Sequence, residues 1–180
     1  MTTRFSSLHG FTLIELMVTI SILAIAAAFA VPSFQSIIEG AKHRGVISDL
    51  NASVALARSE AVKRGVPVVL AAKVAGANGL GKGWRIFVDD PANAGVFSAA
   101  TPMLLDQAPY DNTVSVGLGT MSGGSELLTF AAAGNVVLGG AGTGNRLIIS
   151  TGTSNSGTIC LAFGGRSRYM DKNIAASACN

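Results

Sequence analysis

The feature that most constrains this chain is an apolar run near the N-terminus, GFTLIELMVTISILAIAAAFAV, at residues 10–31. From Phe11 to Val31 the run holds 21 residues, and Glu15 is the only ionisable one. At 1.5 Å per residue, a helix of this length reaches about 30 Å, which is the thickness of the hydrocarbon core of a bilayer. The run therefore predicts a membrane-spanning anchor helix at residues 11–31.

The residues before the anchor differ from an ordinary secretory signal. A signal peptide has an apolar region of about 7–15 residues followed by a small-residue cleavage site. Here the short polar leader MTTRFSSLHG precedes the apolar run, so a cut between Gly10 and Phe11 would leave the anchor on the mature protein. A carboxylate inside a membrane costs about 2.5–3.5 kcal/mol on insertion scales. Glu15 therefore predicts a cationic partner or, as the alternative, attraction to the positive N-terminal end of its own helix.

The sequence Gly-Phe-Thr-Leu-Ile-Glu at residues 10–15 resembles the cleavage motif of the type IV pilin superfamily. The resemblance implies that a membrane prepilin peptidase removes the leader, residues 1–10, by cutting after Gly10, and that it methylates the new amine of Phe11. It also implies that the partner of Glu15 is the Phe11 amine of a neighbouring subunit. In a low-dielectric environment such a charge would be neutralised only on assembly, and this would set the register of the subunits.

Beyond the anchor, the helical pattern weakens and then returns. Pro32 removes a backbone hydrogen bond, which bends or loosens a helix. Lys63 and Arg64 then precede Gly65, and cations followed by a glycine are typical of a helix end. The pattern predicts an amphipathic helix over residues 32–64 with one face against a sheet. The apolar stripe recurs at three- and four-residue steps at Val46, Leu50, Val54, Ala57 and Ala61.

After Gly65 the chain consists of short β-prone runs separated by glycine-rich turns, which is typical of a small antiparallel domain. The sequence therefore predicts an α+β fold in which a long N-terminal helix packs on a β-rich domain at residues 65–180. The predicted strands are Val66–Val74, Gly83–Asp89, Met103–Gln107, Thr113–Val116, Glu126–Phe130, Val136–Leu138, Arg146–Ser150, Thr158–Phe163 and Arg166–Met170.

Four segments resemble one branch of the pilin superfamily, the GspH/FimT family of minor pilins and pseudopilins. They are LARSEAVKR at 56–64, GWRIFVD at 83–89, LTF at 128–130 with Gly134, and GRSR at 165–168. The resemblance implies a pilin fold with one or two antiparallel sheets. Within the second segment, Trp84 and Phe87 point to opposite faces of a strand, so at most one is expected to face the helix. Arg85 and Asp89 are then expected on a solvated outer face.

The sequence offers little for catalysis, for a metal or for a cofactor. His43 is the only histidine after the leader, so a serine-histidine triad would have to recruit a residue of the helix. The glycine clusters at 79–83 and 140–144 match neither a phosphate-binding loop nor a dinucleotide fingerprint. Asp89, Asp90 and Asn93 lack the spacing of a calcium-binding loop. We expect no enzyme, no metal site and no cofactor.

Cys160 and Cys179 are the only cysteines, and 18 residues separate them. If the anchor orients with Arg4 on the cytoplasmic side, the rest of the chain lies outside the inner membrane, where disulfides persist. Closing such a loop is worth about 3 kcal/mol in the chain-entropy model. The sequence predicts a disulfide, with a pair of free thiols as the alternative.

The C-terminal region concentrates positive charge, although the net charge of +3 is too mild alone to indicate nucleic acid. Arg166 and Arg168 alternate by two and would share one face of a strand, Lys172 lies nearby, and the Tyr169 ring could stack on a base. Gly-Arg-Ser-Arg also resembles a motif of FimT-type minor pilins implicated in DNA uptake. Two interpretations remain open, namely DNA contact by Arg166, Arg168 and Lys172, or a solvated or subunit-facing strand.

These observations predict a filament subunit. The resemblance implies a minor pilin that is held in the inner membrane by a single span, with a periplasmic C-terminal domain. It also implies that this subunit primes or caps a type IV pilus with other minor and major pilins. Val18, Ile22, Ile25 and Phe29 would pack against neighbouring anchors in the filament core. The alternative is an H-type minor pseudopilin of a type II secretion system.

Overall fold

A computed structural model describes residues 10–76, 78–119, 127–137, 146–151, 155–171 and 179. The chain divides into two compact units, Met1–Ile38 and Glu39–Asn180. One helix, α1 (Leu13–Arg64), contributes to both units.

In the first unit, α1 is an exposed apolar helix. Every side chain described between Leu13 and Phe29 is exposed, although nearly all of them are apolar. An 18-residue window of this helix has a mean hydropathy of 2.4, and none of it is buried within the chain. By length and composition, the helix is therefore able to cross a membrane, as the sequence predicts for residues 11–31.

In the second unit, α1 is amphipathic, and the predicted apolar stripe is confirmed. Val46, Leu50, Val54, Ala57 and Ala61 are all at most 1% exposed. The helix ends at Arg64, followed by Gly65 with a φ of 67°, a value that glycine adopts more readily than other residues. The side chains of Lys63 and Arg64 both reach Glu60, at 3.5 and 2.6 Å.

The rest of the second unit consists of antiparallel strands in two sheets. Each predicted strand overlaps an observed one. The largest differences are at β4, which extends into a predicted turn, and at β8, which begins three residues early. Both strands pair with six consecutive residues of β7, so pairing rather than local propensity sets their length. The strands are β1 (Val68–Ala72), β2 (Trp84–Val88), β3 (Met103–Asp106), β4 (Val114–Gly119), β5 (Leu127–Phe130), β6 (Val136–Val137), β7 (Arg146–Thr151), β8 (Asn155–Leu161) and β9 (Ser167–Met170).

The core lies where the α1 stripe meets both sheets. The order β3-β2-β1-β5-β6 forms one sheet, and β4-β7-β8-β9 forms the other. Trp84 on β2 is fully buried, and its indole Nε1 donates a hydrogen bond to Ser53 Oγ on α1 at 2.9 Å. The other buried strand residues in this core include Leu70, Ile86, Leu128, Phe130, Val116, Leu147, Ile149, Ile159 and Leu161.

The opposite face of β2 is covered rather than solvated, which corrects one expectation. Phe87 is fully buried, and its ring lies 5.4 Å from the ring of Phe97 in the segment after β2. The Arg85 guanidinium lies 4.7 Å from the centre of the Phe97 ring, and Asp89 Oδ1 accepts a hydrogen bond from Gly95 N at 2.7 Å. Trp84 and Phe87 thus face opposite sides, as predicted, but a folded-back loop forms a second small apolar cluster around Phe87.

The glycine cluster at 79–83 joins β1 to β2 of the first sheet and packs against β4 of the second. Gly79–Lys82 forms a short 3-10 helix, and Gly79, Leu80 and Gly81 are buried in it. A Cβ atom at Gly81 would lie 2.9 Å from the Val114 carbonyl oxygen at the start of β4. The cluster therefore has a packing role, because a larger residue at Gly81 would push β4 away.

Candidate interaction site

The unit Glu39–Asn180 carries a groove between the C-terminal part of α1 and the β8–β9 hairpin, with a volume of about 1020 Å³. Aliphatic side chains and the disulfide contribute to its lining, together with four cationic side chains. None of the described lining residues is acidic. The cations are Arg58 and Lys63 from α1, and Arg166 and Arg168 from the hairpin.

The two hairpin arginines are exposed. Arg168 lies on β9, and Arg166 lies just before this strand, so the strand is one residue shorter than predicted. The Arg168 guanidinium contacts Met170 Sδ at 3.7 Å. Among the residues that the structure describes, neither arginine forms a salt bridge. Both guanidinium groups are therefore available to an anionic partner from outside the chain.

The Arg58 side chain of α1 lies against two turns, the one between β5 and β6 and the one between β8 and β9. The Arg58 Nε donates a hydrogen bond to the Gly134 carbonyl oxygen at 3.2 Å. A Cβ atom at Gly165 would lie 2.4 Å from this same oxygen and 2.9 Å from Arg58 Cδ, and Gly165 has a φ of 75°. Three of the segments that resemble the GspH/FimT family therefore meet at one point. Sequence reasoning identified the segments but not the contact, because no pattern along the chain shows that they converge.

The predicted disulfide between Cys160 and Cys179 is present, with a Cα–Cα distance of 5.3 Å. Cys160 on β8 is the direct cross-strand neighbour of Arg168 on β9 and, on the other side, of Arg146 on β7. The disulfide thus attaches the C-terminal end of the chain to the strand beside the arginine pair. This covalent link restricts the movement of the hairpin that carries the two arginines.

The sequence suggests that the Tyr169 ring could stack on a base, and in the structure the hydroxyl of this half-buried residue is bonded within its own chain. Its hydroxyl lies 3.1 Å from His43 Nε2 and donates to Asp171 Oδ1 at 3.1 Å. Burial, followed by the hydrogen bond to Asp171, raises the pKa of Tyr169 to about 12. A Cβ atom at Gly157 would lie 2.4 Å from the Tyr169 hydroxyl, so the absence of a side chain at Gly157 makes room for the ring. Tyr169 instead connects β9 to α1.

His43 forms the other end of this connection. Its Nδ1 lies 3.2 Å from Thr151 Oγ1 at the end of β7. Burial lowers the pKa of His43, and Arg44 lowers it further, whereas Asp171 opposes the shift. Both His43 and Thr151 are buried. This histidine-hydroxyl pair is therefore closed to substrates and links α1 to the second sheet.

At the N-terminus, Gly10 and Phe11 are exposed and lie just before α1. Thr12 Oγ1 accepts a hydrogen bond from Glu15 N at 3.2 Å, and Glu15 Oε2 accepts one from Thr12 N at 3.5 Å. This reciprocal arrangement is a capping box, which satisfies two backbone donors at the start of a helix. In this single chain, Glu15 contacts its own helix N-terminus, the alternative that the sequence leaves open.

Two of the predicted features lie outside the described residues, namely Lys172 and most of the leader. Of the possible calcium ligands, Asp90 accepts hydrogen bonds from Ala92 N and from Asn93 Nδ2, both at 3.0 Å. These bonds lower the pKa of Asp90. Asp89 and Asp90 both close local turns with their carboxylates. No group of three metal-ligating side chains occurs in the part of the chain that the structure describes.

An exposed apolar helix that begins within a Gly-Phe-Thr-Leu-Ile-Glu motif and continues into a β-rich unit defines a pilin-like subunit. The family comparisons agree with this class. The model of the prokaryotic N-terminal methylation motif matches residues 7–31, and the model described as type II transport protein GspH matches residues 46–165. The chain belongs to the GspH family of minor pilins and pseudopilins. Members of this family are structural subunits, and the N-terminal motif implies processing by a prepilin peptidase and assembly with other pilins.

The fold comparison confirms the predicted α+β architecture. The chain is similar to the crystal structure of the type IV minor pilin FimU of Pseudomonas aeruginosa, with a TM-score of 0.50 and 23% sequence identity. The match covers 74% of this chain and 94% of that one. No match is found among curated proteins. At this level of identity the likeness supports the fold, a long helix on antiparallel sheets.

Proposed function

We propose that this protein is a minor pilin that primes or caps a type IV pilus. A prepilin peptidase cuts after Gly10 and methylates Phe11, and the anchor holds the subunit in the inner membrane, with the β-rich domain in the periplasm. During assembly the anchor leaves the lipid for the filament core. Val18, Ile22, Ile25 and Phe29 there contact the anchors of neighbouring subunits.

One observation carries this proposal: none of the described residues in the anchor half of α1 is buried within its own chain. The carboxylate of Glu15 is similarly bonded only to Thr12 among the described residues. A neighbouring Phe11 amine offers this carboxylate a full positive charge, whereas the capping box offers only a backbone N–H and a hydroxyl. Two opposite full charges attract each other strongly where water is excluded, whereas a neutral donor offers the carboxylate only a partial charge. Glu15 therefore favours a subunit contact over its local one.

The proposal is tested by the N-terminal peptide of the protein made in its own membrane. Mass spectrometry is expected to find a chain that begins at methylated Phe11, and to find it both in membranes and in sheared filaments. A Gly10→Asp variant is expected to retain the leader and to be missing from filaments. A chain that keeps residues 1–10, or that is found in membranes but never in filaments, would contradict the role.

The alternative role, that of a pseudopilin, is supported by the description of the matching family model as a type II transport protein. In that role the same anchor would serve a short periplasmic assembly for protein secretion. Deletion of the gene separates the two roles. The minor pilin role predicts fewer surface pili with normal protein secretion, whereas the pseudopilin role predicts the reverse.

A second activity, DNA binding, is supported by the exposed pair Arg166 and Arg168 beside a groove that has no described acid. Guanidinium groups bind phosphate oxygens, and each lost phosphate contact lowers the salt slope of binding by about 0.9. We expect Arg166→Ala/Arg168→Ala to weaken duplex binding and to reduce the slope by about 1.8. Lys172 is a third candidate, and Lys172→Ala is expected to have a smaller effect.

The matched control is Lys42→Ala/Lys82→Ala, which removes the same charge from exposed positions outside the groove. A gel-shift titration at several salt concentrations measures all variants. If the arginine and lysine double variants bind equally well and with the same salt slope, the arginine pair is not a DNA site.

A further inference from the structure

The part of α1 just after the anchor carries a second exposed apolar surface. Phe34, Ile37 and Ile38 are 64%, 60% and 54% exposed. Their spacing of i, i+3 and i+4 places them on one helix face. We call these three residues the neck stripe. Within the described residues, no side chain of the same chain covers it.

Neither the anchor length nor the local charge suggests that the neck stripe belongs to the membrane span. The 21 residues before Pro32 already reach about 30 Å, which fills the hydrocarbon core. Glu39 follows the stripe directly and is the only acid between Glu15 and Asp49. Among the described residues, Glu39 forms no salt bridge. The neck stripe is therefore a large apolar surface next to an unpaired carboxylate.

The groove of the second unit has the complementary chemistry. Val54, Ala55 and Val62 of α1 and Ala162 of the hairpin contribute apolar lining, and Val62 is 55% exposed. Four cations belong to the same lining, and no described lining residue is acidic. Lys63 is paired with Glu60 outside the lining, so Arg58, Arg166 and Arg168 are the cations without a salt bridge among the described residues. A partner that brings aliphatic and aromatic side chains together with a carboxylate would match both the apolar lining and the cations of the groove.

We propose that the groove receives the neck stripe of a second copy of this chain. Phe34, Ile37 and Ile38 of one copy contact the apolar lining of the other copy, and Glu39 lies near the cations. In this mode of recognition a helix lies in a groove, and its side chains at i, i+3 and i+4 contact the apolar lining of that groove. The contact extends the proposed filament role by adding a subunit interface outside the membrane. It also covers Arg166 and Arg168, so an occupied groove and DNA exclude each other.

The test is a photocrosslink between full-length copies in the membrane. A photoreactive phenylalanine replaces Ser59, an exposed residue of the groove lining, in copies that carry one tag, and a second population carries another tag. We expect an adduct between the two populations whose crosslinked peptide contains residues 34–38. The same probe at Val96, which is 59% exposed and outside the groove, is expected to give several-fold less of this adduct.

Charge exchange provides an independent readout. Glu39→Lys and Arg168→Glu are each expected to reduce the adduct, and mixing the two variant populations is expected to restore it. Formation of the Cys160–Cys179 disulfide in each variant verifies folding. Adducts only with lipid, with DNA or with another protein, or equal yields from positions 59 and 96, would overturn the inference. Because processing at Gly10 is measured separately, a correctly processed chain without the neck adduct disproves this contact and leaves the filament role intact.

Discussion

The two halves of α1 differ in where their apolar side chains are buried. In the half that ends near Phe29, the described side chains are exposed and apolar around most of the helix. In the half from Val46 to Ala61, a narrow stripe is buried against both sheets and the remaining faces are largely exposed or half-buried. A helix that is apolar all round needs lipid or other helices, whereas a striped helix needs only its own domain. A single element thus combines a stripe that its own domain buries with an apolar surface that its own chain leaves exposed.

The largest expected effect is a difference between the two halves of α1 in how much a truncated side chain lowers the free energy of unfolding. Leu50→Ala removes a fully buried side chain of the stripe and is expected to lower the free energy of unfolding by about 2–5 kcal/mol. Ile22→Ala, in the exposed half, is expected to change it by less than about 0.5 kcal/mol. Denaturant unfolding of the full chain in detergent measures both variants. Equal losses would show that the halves do not differ in the way described.

The next effect concerns the disulfide between Cys160 and Cys179 in the second unit. Replacing Cys160 and Cys179 together by serine is expected to lower the free energy of unfolding by about 3 kcal/mol, since an open loop gains conformational freedom in the unfolded chain. The same denaturant titration, with the unchanged protein under reducing conditions as a second arm, measures this loss. An unchanged unfolding midpoint would show that the hairpin is held by its noncovalent contacts alone.

A smaller effect is expected at the contact between α1 and β2. Ser53→Ala leaves the buried Trp84 indole N–H without its acceptor, and this is expected to cost about 1–3 kcal/mol. Ser59→Ala is the matched control, because Ser59 is exposed and bonds only to the Leu56 carbonyl of its own helix among the described residues. Thermal unfolding of the two variants checks the difference. If the control loses as much stability as Ser53→Ala, the indole hydrogen bond is not the cause.

The smallest expected effect is a pH dependence of the second unit. Burial lowers the pKa of His43 from 6.5, so the unfolded chain binds more protons than the folded one just below that pH. The contribution of neutral His43 to the free energy of unfolding is therefore complete above about pH 6.5, and it is lost as the pH falls toward the pKa of the folded state. The lowered pKa values of Asp111, at about 2, and of Glu60 act only at more acidic pH. Unfolding at pH values between about 5 and 7 is expected to show this slope, and His43→Asn is expected to remove it.

Much of the fold could be predicted because local patterns determine it. The α1 stripe, the position of each strand and the cysteine pair depend on residue spacing, and all are found in the structure. The extent of β4 and β8 could not be predicted, since pairing with β7 overrides glycines that are typical of turns. The burial of Phe87 was also missed, because its cover comes from Phe97, ten residues later along an irregular loop.

The candidate site was likewise predictable only in part. Arg166, Arg168 and both cysteines were identified from spacing and resemblance. The groove was not, because it depends on α1 and the hairpin being brought together by the contact between Arg58, Gly134 and Gly165. The contact between Tyr169 and His43 was missed for a related reason, since 126 residues separate the two in the sequence. Contacts between distant residues of this kind leave no periodic signal.

In the proposed assembly, Glu15 exchanges its local contact with Thr12 for the Phe11 amine of another subunit. The most direct measurement is the amount of Glu15→Gln protein that copurifies with sheared filaments, compared with Thr19→Ala as a polar anchor substitution that keeps the charge. We expect the glutamine variant to be processed and retained in the membrane but largely lost from filaments, while Thr19→Ala is incorporated normally. Glu15→Gln protein that enters filaments as well as the unaltered protein would contradict the account.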